Sequence, residues 1–159
     1  MWDAEHVKAE GIRVLPPVYV FVALALAWFL DQTAPLPDPS LGFRWLGVVV
    51  AALAATLMAW AVAEQMRHHT NVNPWEETRS LVTSGPYAWS RNPIYLADFV
   101  LQAGLSMALG WLWGLALLPL TWAALRFFVV AKEERFLREA FGDSYAQYQG
   151  KVRRWLGRP

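Results

Sequence analysis

Four long apolar runs, at about residues 14–30, 43–63, 93–109 and 111–130, fill most of this chain. Each is close to the roughly 20 residues that a helix needs to cross the hydrocarbon of a bilayer. Runs of this kind are stable in lipid only where every backbone N–H and C=O is paired internally, which selects helices. The expectation is therefore an all-α fold, a single membrane domain over residues 1–159 with about four transmembrane helices and a helical tail at 131–159. Pro16 and Pro17 suit a first helical turn, where the missing N–H groups would be unpaired anyway. Acidic residues (Asp3, Glu5, Glu10) precede the first run and no small-residue cleavage site follows, so it is expected to be retained rather than removed as a leader. The third and fourth runs meet at Gly110, a connection tight enough to require a helical hairpin.

Charge then orients the bundle. With four crossings, Lys8, Arg13, Arg67, Arg79, Arg91, Lys132, Arg135, Arg138, Lys151, Arg153, Arg154 and Arg158 gather on one side, and Arg44 stands on the other with Asp31 and Asp38. The positive-inside rule makes the first side cytoplasmic, with both termini, the middle loop and the tail. Trp28, Trp45, Trp111 and Trp113 then fall at the outer interface, and Trp75, Trp89 and Trp155 at the inner one. The chain has no cysteine, which excludes disulfides and thiol chemistry, and its net charge of +1 argues against nucleic acid as a partner.

Polar groups beside hydrocarbon are costly, so function is sought where they concentrate. One such stretch is LVTSGPYAWSRNPIY, residues 81–95. There Pro86 can begin a short helix capped by Ser84 or Gly85, and Asn92-Pro93 can cap and open the third transmembrane helix. That helix start carries free N–H groups and a positive dipole end, suited to a carboxylate or phosphate. Asn-Pro is by itself an ordinary helix start; Arg91 and Tyr95 flanking the turn give it a second use.

The other polar concentration is KEERFLREAFGDSYAQY, residues 132–148, at the foot of the last apolar run. Its helix is expected to end at Gly142 and to restart at Asp143-Ser144 with Tyr145 and Tyr148. On an unbroken α-helix Arg126, Val130, Glu133 and Leu137 share a stripe, so Arg126 could face the same cavity as Glu133. Intrahelical pairing, such as Glu134 with Arg138, is the plain alternative for the glutamates. Attraction to anionic headgroups accounts for the basic tail 151–154. Adjacent His68-His69 point apart on a helix and no cysteine or third nearby histidine joins them, so a metal site is not expected. Asp98 is either an interfacial carboxylate reached by water or faces the bundle interior, toward substrate or Gln102.

LVTSGPYAWSRNPIYL, then EERFLREAFGDSYAQY and a closing KVRRWL, resemble the isoprenylcysteine carboxyl methyltransferase family, especially its short bacterial members, which share a superfamily with phospholipid N-methyltransferases. The similarity spans about residues 67–156, and its two-part pattern of Arg-Asn-Pro-x-Tyr and a Glu-Glu pair about 40 residues on is specific. The resemblance implies an integral membrane methyltransferase, in the inner membrane for a bacterial member. It implies S-adenosylmethionine held in a cytoplasm-facing pocket, and a lipophilic small-molecule or lipid acceptor, an isoprenoid carboxylate among them, entering from the bilayer. No G-x-G-x-x-G opens a helix after a strand, so a dinucleotide-type fold is absent from the sequence. Carried over residue by residue, Leu81, Val82, Tyr87, Asn92, Pro93, Ile94, Tyr95 and Glu133 fall on cofactor-contacting positions, and Arg91 and Glu134 on the neighbouring catalytic ones.

The chemistry suits these residue types. Methyl transfer from a sulfonium is an in-line displacement that chiefly needs alignment and exclusion of water. Glu133 can meet the cofactor's ammonium group, while Arg91 or the N–H groups opening the third helix can meet its carboxylate. Tyr87 and Tyr95 offer aromatic faces to adenine or the sulfonium. A carboxylate acceptor needs no base, whereas an amine or phenol would draw on Glu134. Two departures stand out. Asn92 occupies a position often held by histidine and cannot shuttle protons. Val129 occupies the position where eukaryotic members carry an arginine for the substrate carboxylate. Arg126, one turn earlier, and Asp98 are the expected substrate contacts. The alternatives are phospholipid or amine N-methylation, and a non-catalytic scaffold of the same fold; a transporter fits less well because the polar residues cluster at one face.

Overall fold

The computed structural model describes residues 15–68 and 80–157. Readings that involve Asp3, Glu5, Lys8, Glu10, Arg13, His69, Asn73-Pro74, Trp75, Arg79 and Arg158 lie outside the described residues. Every regular element among the described residues is helical: α1 (Pro16–Thr33), α2 (Leu41–Arg67), a 3₁₀ turn (Gly85–Ala88), α3 (Pro93–Leu109), α4 (Trp113–Ala116), α5 (Leu118–Ala124), a π segment (Leu125–Val130) and α6 (Ala131–Lys151).

Two helices, α1 and α2, are long and apolar enough to cross a membrane, and α3 is a shorter apolar helix of 17 residues. Their apolar side chains are not confined to one stripe. Phe21, Phe29, Leu41, Trp45 and Leu53 all lie more than half exposed on the outside of the bundle, an arrangement suited to lipid rather than water. Pro16 opens α1 and Pro93 opens α3, both in the first turn.

The bundle is drawn together by small residues. α2 and α3 pack most extensively, and there Gly47 abuts Met107 and Ala108 while Gly104 abuts Ala51, so closely that a Cβ on either glycine would strike the opposite backbone. Helices in lipid associate through this kind of close packing, since burial of apolar surface supplies no drive there. Gly110 adopts a left-handed conformation (φ 79°) and closes α3 by donating its N–H to Met107, as the hairpin requires. Arg44 is ion-paired with Asp38 and donates to the Leu109 carbonyl at the same end of the bundle.

The fourth apolar run is not one continuous helix. It is divided into α4, α5 and the π segment, with Pro119 at the start of α5 withholding an N–H and Gly114 packed under Ser106. The π segment shifts the register between Arg126 and Glu133, so the stripe read from an unbroken 3.6-residue period does not carry through. The Arg126 guanidinium instead stands 5.5 Å from the Trp122 ring and 5.6 Å from that of Phe127. Gly142 interrupts α6 as expected, with φ 47° and ψ −120°.

Candidate active site

The polar loop, the start of α3, the start of α6 and the tail converge at one end of the bundle. Tyr95, in the first turn of α3, donates its hydroxyl to Glu133 Oε2 at 2.7 Å. Tyr95 packs with Leu125, Val129 and Val130 of the π segment, with Tyr19, Ile94 and Trp155 at the edge. Val129 is fully buried in this apolar cluster. Val82 and Tyr87 pack on Ala61 of α2, with Ile94 bridging this group to the first. Leu81 packs against Tyr145, Tyr148 and Val152 of the tail. The expected cofactor residues thus come together, although they arrive from four elements.

Glu134 is not paired with Arg138. Its buried carboxylate receives a two-pronged hydrogen bond from Arg154, Nε to Oε1 at 2.9 Å and Nη2 to Oε2 at 2.6 Å, and Arg91 Nη2 lies 3.4 Å from Oε1. Arg154, which the sequence left as a headgroup-binding cation, points into the protein, and the Glu134 hydrogen bonds raise its guanidinium further above its ordinary value.

Asn92 does not cap α3 through its side chain. The amide donates to the Arg154 carbonyl at 3.0 Å, and the Asn92 N–H is taken by Ser90 Oγ at 3.1 Å. Further bonds bind loop to tail: Arg91 N–H to the Arg153 carbonyl, Gly157 N–H to the Trp89 carbonyl, and Tyr148 hydroxyl to the Tyr87 carbonyl at 2.6 Å. Ser84 does not cap the 3₁₀ turn either; its hydroxyl donates to Glu64 Oε1 at 2.5 Å, and His68 Nε2 lies 2.9 Å from that hydroxyl. Gly85, at φ 56°, sits so near Glu64 that an added Cβ would lie 3.1 Å from its carboxyl carbon. No group of three His, Cys, Asp or Glu side chains suited to a metal is gathered among the described residues.

Several polar atoms in this region have no hydrogen-bond partner among the described residues: Arg91 Nε and Nη1, and the Tyr87 hydroxyl. Burial and the nearby Glu133 charge push the Tyr87 phenol well up. Burial raises the Glu133 carboxyl above its ordinary value, the Tyr95 hydrogen bond works against this, and the Glu134 charge adds to the rise. Tyr145 is pushed up to about 12, by burial first and then by Glu134, with Arg91 opposing. These mutual influences place Tyr87, Glu133, Glu134, Arg91 and Tyr145 in one electrostatic neighbourhood.

Arg154, Ser90, Tyr148 and Glu64 were not singled out by the sequence as site residues. Glu64 had a visible signal, an acid at the end of an otherwise apolar helix. Arg154 had none, because a basic tail beside a membrane has a sufficient explanation in lipid.

The family model for phospholipid methyltransferase matches residues 43–144. The chain belongs to this family. It is 32% identical over 143 residues to a protein-S-isoprenylcysteine O-methyltransferase of Xenopus laevis, covering 84% of this chain and 48% of the relative. A protein of the same name from Schizosaccharomyces pombe is 34% identical over 116 residues, 71% of this chain and 46% of the relative. One from Homo sapiens is 34% identical over 88 residues, 54% and 30% respectively. The chain therefore spans about half the length, or less, of these three curated relatives. No solved structure gives a significant match.

Proposed function

We propose that this chain is an integral membrane methyltransferase that uses S-adenosylmethionine to methylate a lipophilic acceptor drawn from the bilayer. The observation that carries the reading is the Glu133 carboxylate, bonded to Tyr95 and near the Tyr87 phenol, next in the chain to Glu134, which Arg91 reaches, with the Tyr87 hydroxyl and two Arg91 nitrogens lacking a hydrogen-bond partner among the described residues. The cofactor's amino-acid end needs an acceptor for its ammonium group and donors for its carboxylate, and Glu133 and Arg91 are of the right types. When bound, the cofactor supplies an electrophilic methyl group on sulfur. Tyr87 and Tyr95 offer the aromatic faces to hold it, and the apolar Leu81, Val82, Pro93 and Ile94 exclude water from it. Asn92 contributes by fixing the tail rather than by proton transfer.

Glu134, paired with Arg154, acts by holding Arg91 in place. A lipid-facing groove of about 390 Å³ between α1 and α5 supports entry from the bilayer; its wall includes Val18, Tyr19, Leu120, Thr121 and Ala124. Tyr19 also touches the Tyr95 cluster, which joins the groove to the site. Arg126, beside the exposed Trp122 and Phe127, would meet an anionic group of the acceptor at the groove's margin. In this reading four segments cross the membrane, with the divided fourth run as one of them, and the basic end bearing both termini faces the cytoplasm of a bacterial inner membrane.

The reading is tested by calorimetric titration of the detergent-solubilised protein with S-adenosylhomocysteine, beside a Glu133→Ala variant. Saturable binding that is lost in the variant supports it. Absence of binding by folded wild type, repeated in lipid nanodiscs, overturns it in favour of a non-catalytic scaffold.

A further inference from the structure

Asp98, Gln102 and Ser106 follow one another at intervals of four along α3, so they share a face and span about 12 Å of helix. All three are buried, at 2%, 0% and 0% exposure, in the interior of an apolar bundle. The Gln102 amide nitrogen donates to the Gly114 carbonyl at 3.0 Å, which fixes the side chain and leaves Oε1 as its free end. Asp98 Oδ2, Gln102 Oε1 and Ser106 Oγ have no hydrogen-bond partner among the described residues, and Asp98 forms no ion pair among them. Buried polar groups are retained where something pairs with them, and two of these three atoms are acceptors only.

Position matters as much as chemistry. Asp98 lies three residues, about 4.5 Å of helix rise, beyond Tyr95 on the membrane side. Tyr19, which lines the apolar groove between α1 and α5, packs against the cluster that Tyr95 forms with Leu125, Val129 and Val130. A chain lying in that groove with its head turned inward at Tyr19 would bring the head between Tyr95 and Asp98.

We infer that Asp98, with Gln102 behind it, is the specificity-determining contact for the acceptor's head, and that it selects a hydrogen-bond donor, an amine or an alcohol, over a carboxylate. This rests on the methyltransferase reading above and adds the acceptor class to it. A donor head pairs the free acceptor atoms. A carboxylate head would set a second carboxylate against Asp98, and the wall beside Tyr95 is made by the fully buried, apolar Leu125, Val129 and Val130. Asp98 is thus a binding contact, and its removal is expected to change which acceptor is used without changing the cofactor site.

The test presents wild type in nanodiscs with labelled S-adenosylmethionine and, separately, dodecylamine, dodecanol or dodecanoate, which differ only at the head. Amine or alcohol should be methylated with kcat/KM about tenfold or more above the carboxylate, and Asp98→Asn should narrow that ratio by about tenfold. S-adenosylhomocysteine affinity, measured in parallel, should be the same in both proteins. The wild-type preference needs no variant, so a poorly folded Asp98→Asn protein does not spare the inference. Preference for dodecanoate, turnover of none of the three by a protein that binds S-adenosylhomocysteine, or an unchanged ratio in Asp98→Asn overturns it. Failure of wild type to bind S-adenosylhomocysteine is a different result, which removes the methyltransferase reading and this inference with it.

Discussion

Tyr95 and Glu133 are 38 residues apart and share a 2.7 Å hydrogen bond that joins the start of α3 to the start of α6. The bond fixes the orientation of a carboxylate that the proposed cofactor would also contact. The phenol bonds Oε2 and, in that reading, aims the carboxylate at the cofactor's ammonium group.

Tyr95→Phe should therefore leave the helix packing intact and weaken S-adenosylhomocysteine binding by about tenfold, the scale of one hydrogen bond to a charged group. Calorimetric titration reads this directly. Unchanged affinity would mean that Tyr95 contributes only its ring.

A pH dependence follows from Glu133. Its carboxyl is raised above the ordinary 4.5 in the folded protein, so its contribution to stability is fully present below that value and is lost as pH rises through the raised one. Glu133→Gln lacks this loss, so the variant should gain thermal stability relative to wild type as pH climbs from about 4.5 toward neutrality. Wild-type affinity for S-adenosylhomocysteine should rise over the same window, because the charge that meets the ammonium group forms there. Melting curves of both proteins against pH check the sign; a constant gap contradicts it.

The buried Glu134 carboxylate and the half-buried Arg154 guanidinium form a pair with two hydrogen bonds. Arg154→Ala strips one partner from this carboxylate and leaves it Arg91, and should cost about 1–2 kcal/mol of stability in denaturant unfolding. Arg154→Lys should recover little of it, since an ammonium group cannot supply the same planar fork.

Gly104→Ala places a methyl group against the Ala51 backbone and should destabilise the bundle by about 1–3 kcal/mol. Gly150→Ala, where nothing lies within 4 Å of the added carbon, is the control and should be near neutral or stabilising. Equal effects in thermal melts would mean that α2 and α3 are less tightly packed than the glycine contacts indicate.

Much of this molecule was legible before its fold was described. Hydropathy located the apolar segments, Gly110 and Gly142 declared their turns through backbone freedom, and the Arg-Asn-Pro-x-Tyr and Glu-Glu motifs led to the convergence of loop, α3 and α6. What escaped the sequence depends on pairings between distant residues. Nothing local distinguishes Arg154, which turns inward to Glu134, from Arg153 beside it. Asn92 has the residue type of a helix cap, yet its amide is drawn away by the Arg154 carbonyl across 62 residues. The Arg126 stripe failed for a different reason, because a period of 3.6 cannot foresee a π segment.

The bonds between loop and tail also bear on the order in which this protein assembles. Ser90 and Asn92 reach Arg154 across 64 and 62 residues, and Tyr148 reaches the Tyr87 carbonyl across 61, whereas α3 and α4 are neighbours in sequence. Contacts of such long separation carry the largest closure entropy and form after local ones. The helices can therefore gather while residues 84–92 are still unclasped, and the candidate site becomes organised only when the tail docks. Its maturation is expected to follow formation of the bundle itself.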